Sequence, residues 1–557
     1  MSKNFAANPT INITRSRFNI NHKVLTTFNA GQLIPFDVTE ILPGDTFKNK
    51  TSVVMRMTTP IKPVMDNAWA DIMYFFVPNR IIWDHWEEFQ GANKTGPWTQ
   101  KTEYTIPQTV APEKGWNTGT IADYMGIPTK VPGKTETNQN GLSVNSLPLR
   151  AYVQIWNDWW RDENLQNYSY LNTDDSTTQG TNNNNYITSP ITGGQPLPVN
   201  KMHDYFTSAL PEPQKGPDVL LPLGQKADVF TDSTLNSNIT SNPLKMVDSS
   251  GNLYNNTKAI GINNYNGGIY TWGSSSTIGT FNDAAIPGNL QADLSSATAA
   301  TINQIRQAFQ LQKMFEKDAR GGTRYVEILK NHFGVTASDA RLQRAEYLGG
   351  KKIPITMSQV VQTSSTDTTS PQGNTSAFSL TIDSSDYFTK SFEEHGYIIG
   401  VLCVRTEKTY QQGLNKLWSR LERTDFYMPV FANLGEQPIY NKEIFTQGNE
   451  KDNEVFGYQE AWADYRYKPN RVSGEFRSNS TDSQGNSNTQ DYYHYADDYE
   501  TLPTLGSDFI TEKAANIDRT ITVQSSQANQ FLADIYIEEI ATRPMPVYSI
   551  PGLIDHH

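Results

Sequence analysis

DIMYFFV at residues 71–77 and YIIGVLCV at residues 397–404 decide the fold. A strand with one wet face alternates apolar and polar side chains, whereas these two runs are apolar at nearly every position. They predict central strands buried on both faces, the first stopping at Pro78, which has no N–H to give to a ladder. Outward from them the pattern changes. Residues 51–58 put Val53, Met55 and Met57 on one face and Ser52, Arg56 and Thr58 on the other, a period of two. Residues 531–537 alternate Phe531, Ala533, Ile535 and Ile537 with Leu532, Asp534 and Tyr536. Strand signals therefore stand near both ends of the chain. A sheet that pairs early strands with late ones accounts for this and turns the middle into insertions.

Composition points the same way. The 557 residues include 27 Tyr, 24 Phe and 11 Trp, with 30 Pro and 37 Gly, and only 19% are charged. Aromatic and β-branched residues suit pleated, half-buried surfaces, and Asn, Gly and Pro suit turns. A mean hydropathy of −0.57 comes from Asn, Gln, Ser and Thr rather than from charge. This is a mainly β chain with long loops, not a disordered one. A few helices are predicted among the strands. Residues 149–165 carry Tyr152, Ile155, Trp156 and Trp159 on one helical face. Residues 302–315 carry Ile302, Ile305, Phe309 and Phe315, and a shorter helix is expected over 324–333. Residues 172–185 are low-complexity and polar. Residues 225–300 are rich in Asn, Ser, Thr and Gly, broken by apolar islands such as Ile269, Tyr270 and Trp272. A structureless loop of that length is rare in a compact domain, so a small surface subdomain is expected. Residues 541–557, with Pro544, Pro546 and Pro551, read as an extended arm.

The net charge is −12. A chain this acidic is a poor sequence-independent ligand for nucleic acid over its general surface, so any polyanion contact must be local. The clearest local base is residues 1–36, which hold Lys3, Arg15, Arg17 and Lys23 and no acid. Phe18 and Phe28 lie among them, and single-stranded nucleic acid is held by basic grooves with stacked aromatics. The plain alternative is a solvated tail. The single Cys403 excludes an intrachain disulfide framework, suits a reducing cytoplasm, and reads as a small buried hydrophobe. The start, MSKNFAANPT, lacks the apolar segment of a secretory signal, and no run approaches the ~18 apolar residues of a membrane span.

The search for chemistry returns little. There is no phosphate-binding or dinucleotide-binding glycine motif, no HExxH and no GxSxG. The eight His are scattered, and no His/Cys spacing suggests zinc. No catalytic residue, cofactor or metal is expected. One run, Trp156 to Glu163, mixes aromatics with Asp158 and Asp162, as a sugar cleft might. It suits equally an amphipathic helix packed on a sheet. It keeps open one alternative, a soluble β-rich carbohydrate-binding protein or glycosidase.

Longer stretches carry a resemblance. They include SRFNINHKVLTTFNAGQLIPFDVTEILPGDTF from Ser16, RMTTPIKPVMDNAWADIMYFFVPNRIIWDHWEEFQG from Arg56 and LPLRAYVQIWNDWWRDENL from Leu147. HDYFTSALPEPQKGPDVLLPLG from His203, TINQIRQAFQLQKMFEKDARGGTRYVEILKNHFGV from Thr301, VFGYQEAWADYRYKPN from Val455 and ATRPMPVYSIPGLIDH from Ala541 continue it. In these the chain closely resembles the major capsid proteins of the gokushovirus branch of the microviruses, small single-stranded DNA phages. It departs from them chiefly at 172–185, 225–300 and 479–491.

The resemblance implies a single eight-stranded antiparallel jelly-roll barrel with long loop insertions and a few inserted helices. On that reading residues 1–36 are a basic arm facing the interior, and 37–224 begin the barrel with a helical insertion. Residues 225–300 are a surface protrusion, 301–540 complete the barrel, and 541–557 are an extended arm. It implies a T=1 icosahedral shell of sixty copies in the virion, assembled in the host cytoplasm around circular single-stranded DNA. The implied partners are further copies of the chain, the packaged DNA, a small basic packaging protein, an internal scaffolding protein, a pilot protein and a host cell-surface receptor, with no membrane insertion. Lys3, Arg15, Arg17 and Lys23 are then expected to face DNA, and Ile269, Tyr270 and Trp272 to serve the protrusion in host attachment. The alternative for the arm is that it only ties neighbouring subunits together.

Overall fold

The computed structural model describes residues 14–92, 103–217, 219, 302–364, 368 and 372–548, and the backbone of six short strands between residues 228 and 293. Two compact units result, Met1–Pro213 with Asp318–His557, and Gln214–Lys317. The structure is mainly β, with antiparallel sheets and few helices.

The larger unit is organised by two sheets. Its main strands are β1 (Ser16–Asn19), β2 (His22–Phe28), β3 (Ile34–Ile41), β4 (Thr46–Met57), β5 (Ala68–Pro78), β6 (Glu346–Pro354), β7 (Thr381–Ser391), β8 (Gly396–Thr406) and β9 (Phe531–Arg543). In the first sheet β1 and β2 both pair with β9, which pairs with β4, which pairs with β7. In the second the order is β6–β5–β8–β3. Residues 16–28, expected within an arm, are thus edge strands of the first sheet. His22, Val24, Thr26 and Phe28 alternate with Lys23, Leu25 and Thr27, and the even set turns inward. The last strand likewise runs on to Arg543, past the start of the expected C-terminal arm.

The doubly apolar runs have a simple cause. From β5, Ala70, Ile72, Tyr74 and Phe76 fill the layer between the sheets, while Phe75 and Val77 point the other way. From β8, Ile398, Leu402 and Val404 join the first layer, and Tyr397, Ile399, Val401 and Cys403 the second. Burial of Cys403 pushes its thiol up. Gly400 sits mid-strand because a Cβ there would strike the rings of Phe36 and Tyr74. The second layer is closed by α1 (Leu147–Trp159), which buries Leu147, Leu149, Tyr152, Val153, Ile155 and Trp156. Its polar groups are satisfied inside. Trp156 Nε1 donates to Pro198 O at 2.7 Å, Tyr152 OH to Leu33 O at 2.6 Å, and Arg150 Nη1 to Ile82 O at 3.1 Å. The predicted helix at 302–315 extends as α2 (Ile302–Gly321), and α3 (Tyr325–Phe333) closes at left-handed Gly334.

One polar cluster interrupts the layer between the sheets. His22 Nε2 on β2 meets Asp37 Oδ1 on β3 at 3.2 Å. Asn49 Nδ2 donates to Glu539 Oε1 at 3.5 Å, and the Thr51 hydroxyl lies 2.7 Å from the Tyr74 hydroxyl. Asp37, Asn49, Thr51 and Glu539 are buried, and Glu539 Oε2 has no hydrogen-bond partner among the described residues. Burial, with Asp37 nearby, lifts the Glu539 carboxyl to about 7. The hydrogen bond to Asp37 lifts His22 to about 9.

The smaller unit holds three antiparallel pairs nested in sequence: Asp228–Thr231 with Leu290–Asp293, Met246–Val247 with Ile286–Pro287, and Ala259–Ile262 with Ile269–Trp272.

Two outcomes follow from this architecture. Phe75 lies buried between Trp159 and Tyr347, at ring distances of 5.5 and 5.6 Å, so Phe75→Ala should cost about 3–5 kcal/mol. Ile382→Ala on the open face of β7 should stay within about 0.5 kcal/mol; equal denaturant midpoints for the two variants would contradict the layering. The second outcome concerns pH. Both raised groups bind protons more tightly in the folded state, so their contribution falls as pH rises, from about 4.5 through 7 for Glu539 and from about 6.5 through 9 for His22. Glu539→Gln should therefore gain thermal stability over the parent as pH rises from 5 to 8. A difference that is flat or opposite in sign would show that Glu539 is not held protonated.

Candidate functional site

The aromatic and acidic run around α1 is structural. The Asp158 carboxylate accepts from Gln154 Nε2 at 2.7 Å and from the Ala345 N–H at 2.8 Å, and burial raises its pKa. Asp162 accepts from the N–H groups of Asn164 and Leu165, making the turn that leaves the helix. Trp159 Nε1 donates to Ala345 O, and its ring carries the Arg344 guanidinium at 4.0 Å. These groups fasten the helix to the sheet and to its neighbouring loop. Among the described residues no group of three or more His, Cys, Asp or Glu could hold a metal ion, and no helix is long and apolar enough to cross a membrane.

The feature with room to act is the outer face of the first sheet. Its side chains form rows across the strands. Arg17, Thr542, Thr46 and Ser391 make one row, and Asn19, Ile540, Lys48 and Thr389 the next. Glu538, Lys50 and Asp386 follow, then Lys23, Tyr536, Ser52 and Ser384. Leu25, Asp534, Val54 and Ile382 make the row after that. Leu25 is 72% exposed and Ile382 67%, so this face carries no second layer of core. Five basic residues (Arg17, Lys23, Lys48, Lys50 and Arg56) stand on it against three acidic ones (Asp386, Asp534 and Glu538). Lys23 pairs with Asp534 at 2.8 Å, and Lys50 with Glu538 at 3.7 Å. Among the described residues Arg17, Lys48 and Arg56 have no ion pair. A groove of about 1150 Å³ borders the β2 edge, between Lys23, Arg56 and Tyr124.

The sequence-predicted basic residues are therefore only partly together. Arg17 and Lys23 share this face. Arg15 instead lies against Gly44, where its charge, with that of Arg543, opposes the burial that raises the Asp45 carboxyl. Lys3 lies outside the described residues. Phe28 cannot stack on a ligand, because it is fully buried and packs on Phe531 at 5.6 Å. Tyr536, Lys48, Lys50 and Arg56 were missed as members of the face. Their signal was present: in Thr46–Met57 the basic residues fall at even positions, opposite the apolar odd ones. Ile269, Tyr270 and Trp272 lie on the strand Ile269–Trp272, in the smaller unit.

Comparison with known proteins gives one answer along the whole chain. The family described as "Capsid protein (F protein)" matches residues 6–553. The capsid protein VP1 of Spiroplasma virus 4 is 44% identical over 546 residues, covering 97% of this chain and 96% of that protein. That of Bdellovibrio phage phiMH2K is 42% identical over 560 residues, covering 98% and 97%. That of Chlamydia phage 1 is 40% identical over 614 residues, covering 99% and 98%. With matches of this extent, the chain belongs to the capsid protein (F protein) family of the microviruses and is a structural protein of the virion.

Proposed function

We propose that sixty copies of the chain close into a T=1 icosahedral shell around circular single-stranded DNA, each built on an eight-stranded jelly roll, and that the chain has no catalytic role. The strand order supports the barrel. With β1 and β2 counted as one edge, the sheets run β2–β9–β4–β7 and β3–β8–β5–β6, so every connection between successive main strands from β2 onward passes from one sheet to the other except β5 to β6, which are neighbours in the second sheet. Symmetry then lets one chain close a container by repeating the same contacts.

The carrying observation is charge segregation. The chain is −12 overall, yet the outer face of the first sheet holds more base than acid and includes three cations without ion pairs among the described residues. A like-charged wall would repel the genome across roughly 8 Å at physiological salt, so the basic face is the one that turns inward. Arg17 and Lys23 belong to it. Tyr536 offers the aromatic surface that single strands stack on. Five cations are few for a genome, so a small basic packaging protein or polyamines supply the rest, and scaffolding and pilot proteins complete the particle. Residues 225–300, with Ile269, Tyr270 and Trp272, are the protrusion offered to a host receptor; they fall within the separate unit Gln214–Lys317.

Two experiments test this. Arg17→Glu, Lys48→Glu and Arg56→Glu together should give stable shells with much reduced DNA, measured as nucleic acid per particle; normal content would sink the DNA-facing role. Arg15 is left untouched because it supports the Asp45 turn. Removing residues 225–300 should leave shells that form but no longer adsorb to host cells, and undiminished adsorption by such particles would refute the attachment role.

A further inference from the structure

Residues 415–436, NKLWSRLERTDFYMPVFANLGE, follow β8 as a loop with only three short 3-10 turns. The loop is pinned from behind. Arg420 pairs with Asp464, its guanidinium lying 4.2 Å from the Tyr465 ring and 5.6 Å from the Phe426 ring. Trp462 Nε1 donates to Phe431 O at 2.9 Å, and the Tyr427 ring packs on Trp462 at 5.7 Å. The Asp425 carboxylate accepts the N–H groups of Leu421 and Glu422 at 2.8 and 2.9 Å. The segment is ordered by many contacts, yet its apolar side chains are not what those contacts bury.

Leu421 is 92% exposed, Val430 85% and Trp418 71%, and Leu417, Phe426, Tyr427 and Leu434 are exposed too. Tyr465 and Tyr467, from the turn behind, extend the same surface. At the usual size of such side chains this presents about 1,000 Å². The largest apolar patch on an ordinary monomer is roughly 300–600 Å², and a standard interface takes about 800 Å² from each partner. Charge argues against nucleic acid as the occupant. Lys416 and Arg423 are balanced by Glu422 and Asp425, while Arg420 is paired with Asp464 and Glu436 with Arg320, so this surface is neutral where the open sheet face is basic.

We propose that residues 415–436, with Tyr465 and Tyr467, form a subunit contact received by a second copy of this chain. The inference rests on the chain's membership of a capsid protein family, whose shell needs such contacts. The surface has the area, apolarity and rigidity of a permanent interface. Pre-ordering the loop removes the entropic cost of fixing it when the copies meet.

Cys403 is fully buried, so Leu421→Cys introduces the one accessible thiol among the described residues. Its reaction with a maleimide-polyethylene glycol is measured in intact particles and in subunits dissociated from them. The expected result is rapid labelling of subunits and labelling at least about tenfold slower in particles, as a dry interface core requires. Equal rapid rates would overturn the proposal, and slow labelling in both would assign the cover to the chain's own residues instead. A benzophenone carried on the same thiol should yield a crosslinked product of twice the chain mass; a product of any other mass would name a different partner. If the cysteine variant forms no particles, Leu421→Asp decides the matter. Folded subunits with unchanged circular dichroism that fail to associate support the contact, and particles at full yield overturn it.

Discussion

The central strands of the second sheet have water on neither face, and the rest of the larger unit is arranged around meeting that demand. β5 and β8 are its central strands, and each is apolar on both sides. One side needs a partner sheet and the other needs a helix, so the chain supplies the first sheet and α1. Even the charge in β5 obeys the rule: Asp71, buried at the head of the apolar run, is held by Arg405 of β8. Breaking a buried pair of this kind costs more than forming it yields, because the remaining charge has nowhere to go. The first sheet carries the opposite constraint. It needs cover on one face only, which leaves the other free for whatever the particle requires.

How much of this was legible depended on how far apart the partners lie in sequence. DIMYFFV and YIIGVLCV declare their double burial residue by residue, and the alternation in 51–58 and 531–537 declares a single wet face. The faces of α1 were legible for the same reason. The polar cluster was not, because its members are remote: His22 and Asp37 are 15 positions apart, and Asn49 and Glu539 are 490. No local pattern announces such a meeting. The N-terminal strands were read as an arm because a basic, acid-free stretch resembles a tail until the strand it pairs with is seen. Residues 415–436 hide their character differently, since their apolar side chains look like core in sequence and only their accessibility shows otherwise.

The molecule thus separates two kinds of surface that a container needs. A neutral apolar loop suits permanent contact, where desolvation is complete and unpaired charge would be costly. A sheet face mixing base, hydroxyl and aromatic groups suits a polymer that must be held without a fixed sequence. The sheet face is carried on backbone fixed by the layer between the sheets, and the loop is held by Asp464 and Trp462. The polar cluster beneath the basic face adds a protonation equilibrium close to neutral pH, between two sheets that must stay together.

The position of β9 in the chain has a consequence for synthesis. This strand lies inside the first sheet, between β4 and the β1–β2 edge, yet it is the last of the main strands to be made. A ribosome adding roughly 5–20 residues each second leaves β2 and β4 without it for about 25 to 100 s. Throughout that time β2 has no strand partner in its sheet, and β4 lacks the one on its β9 edge even after β7 has paired with its other edge. A prematurely terminated product never receives the strand, so it cannot complete the first sheet. Translation to the end is in this way a licence for assembly, written into the order of the strands.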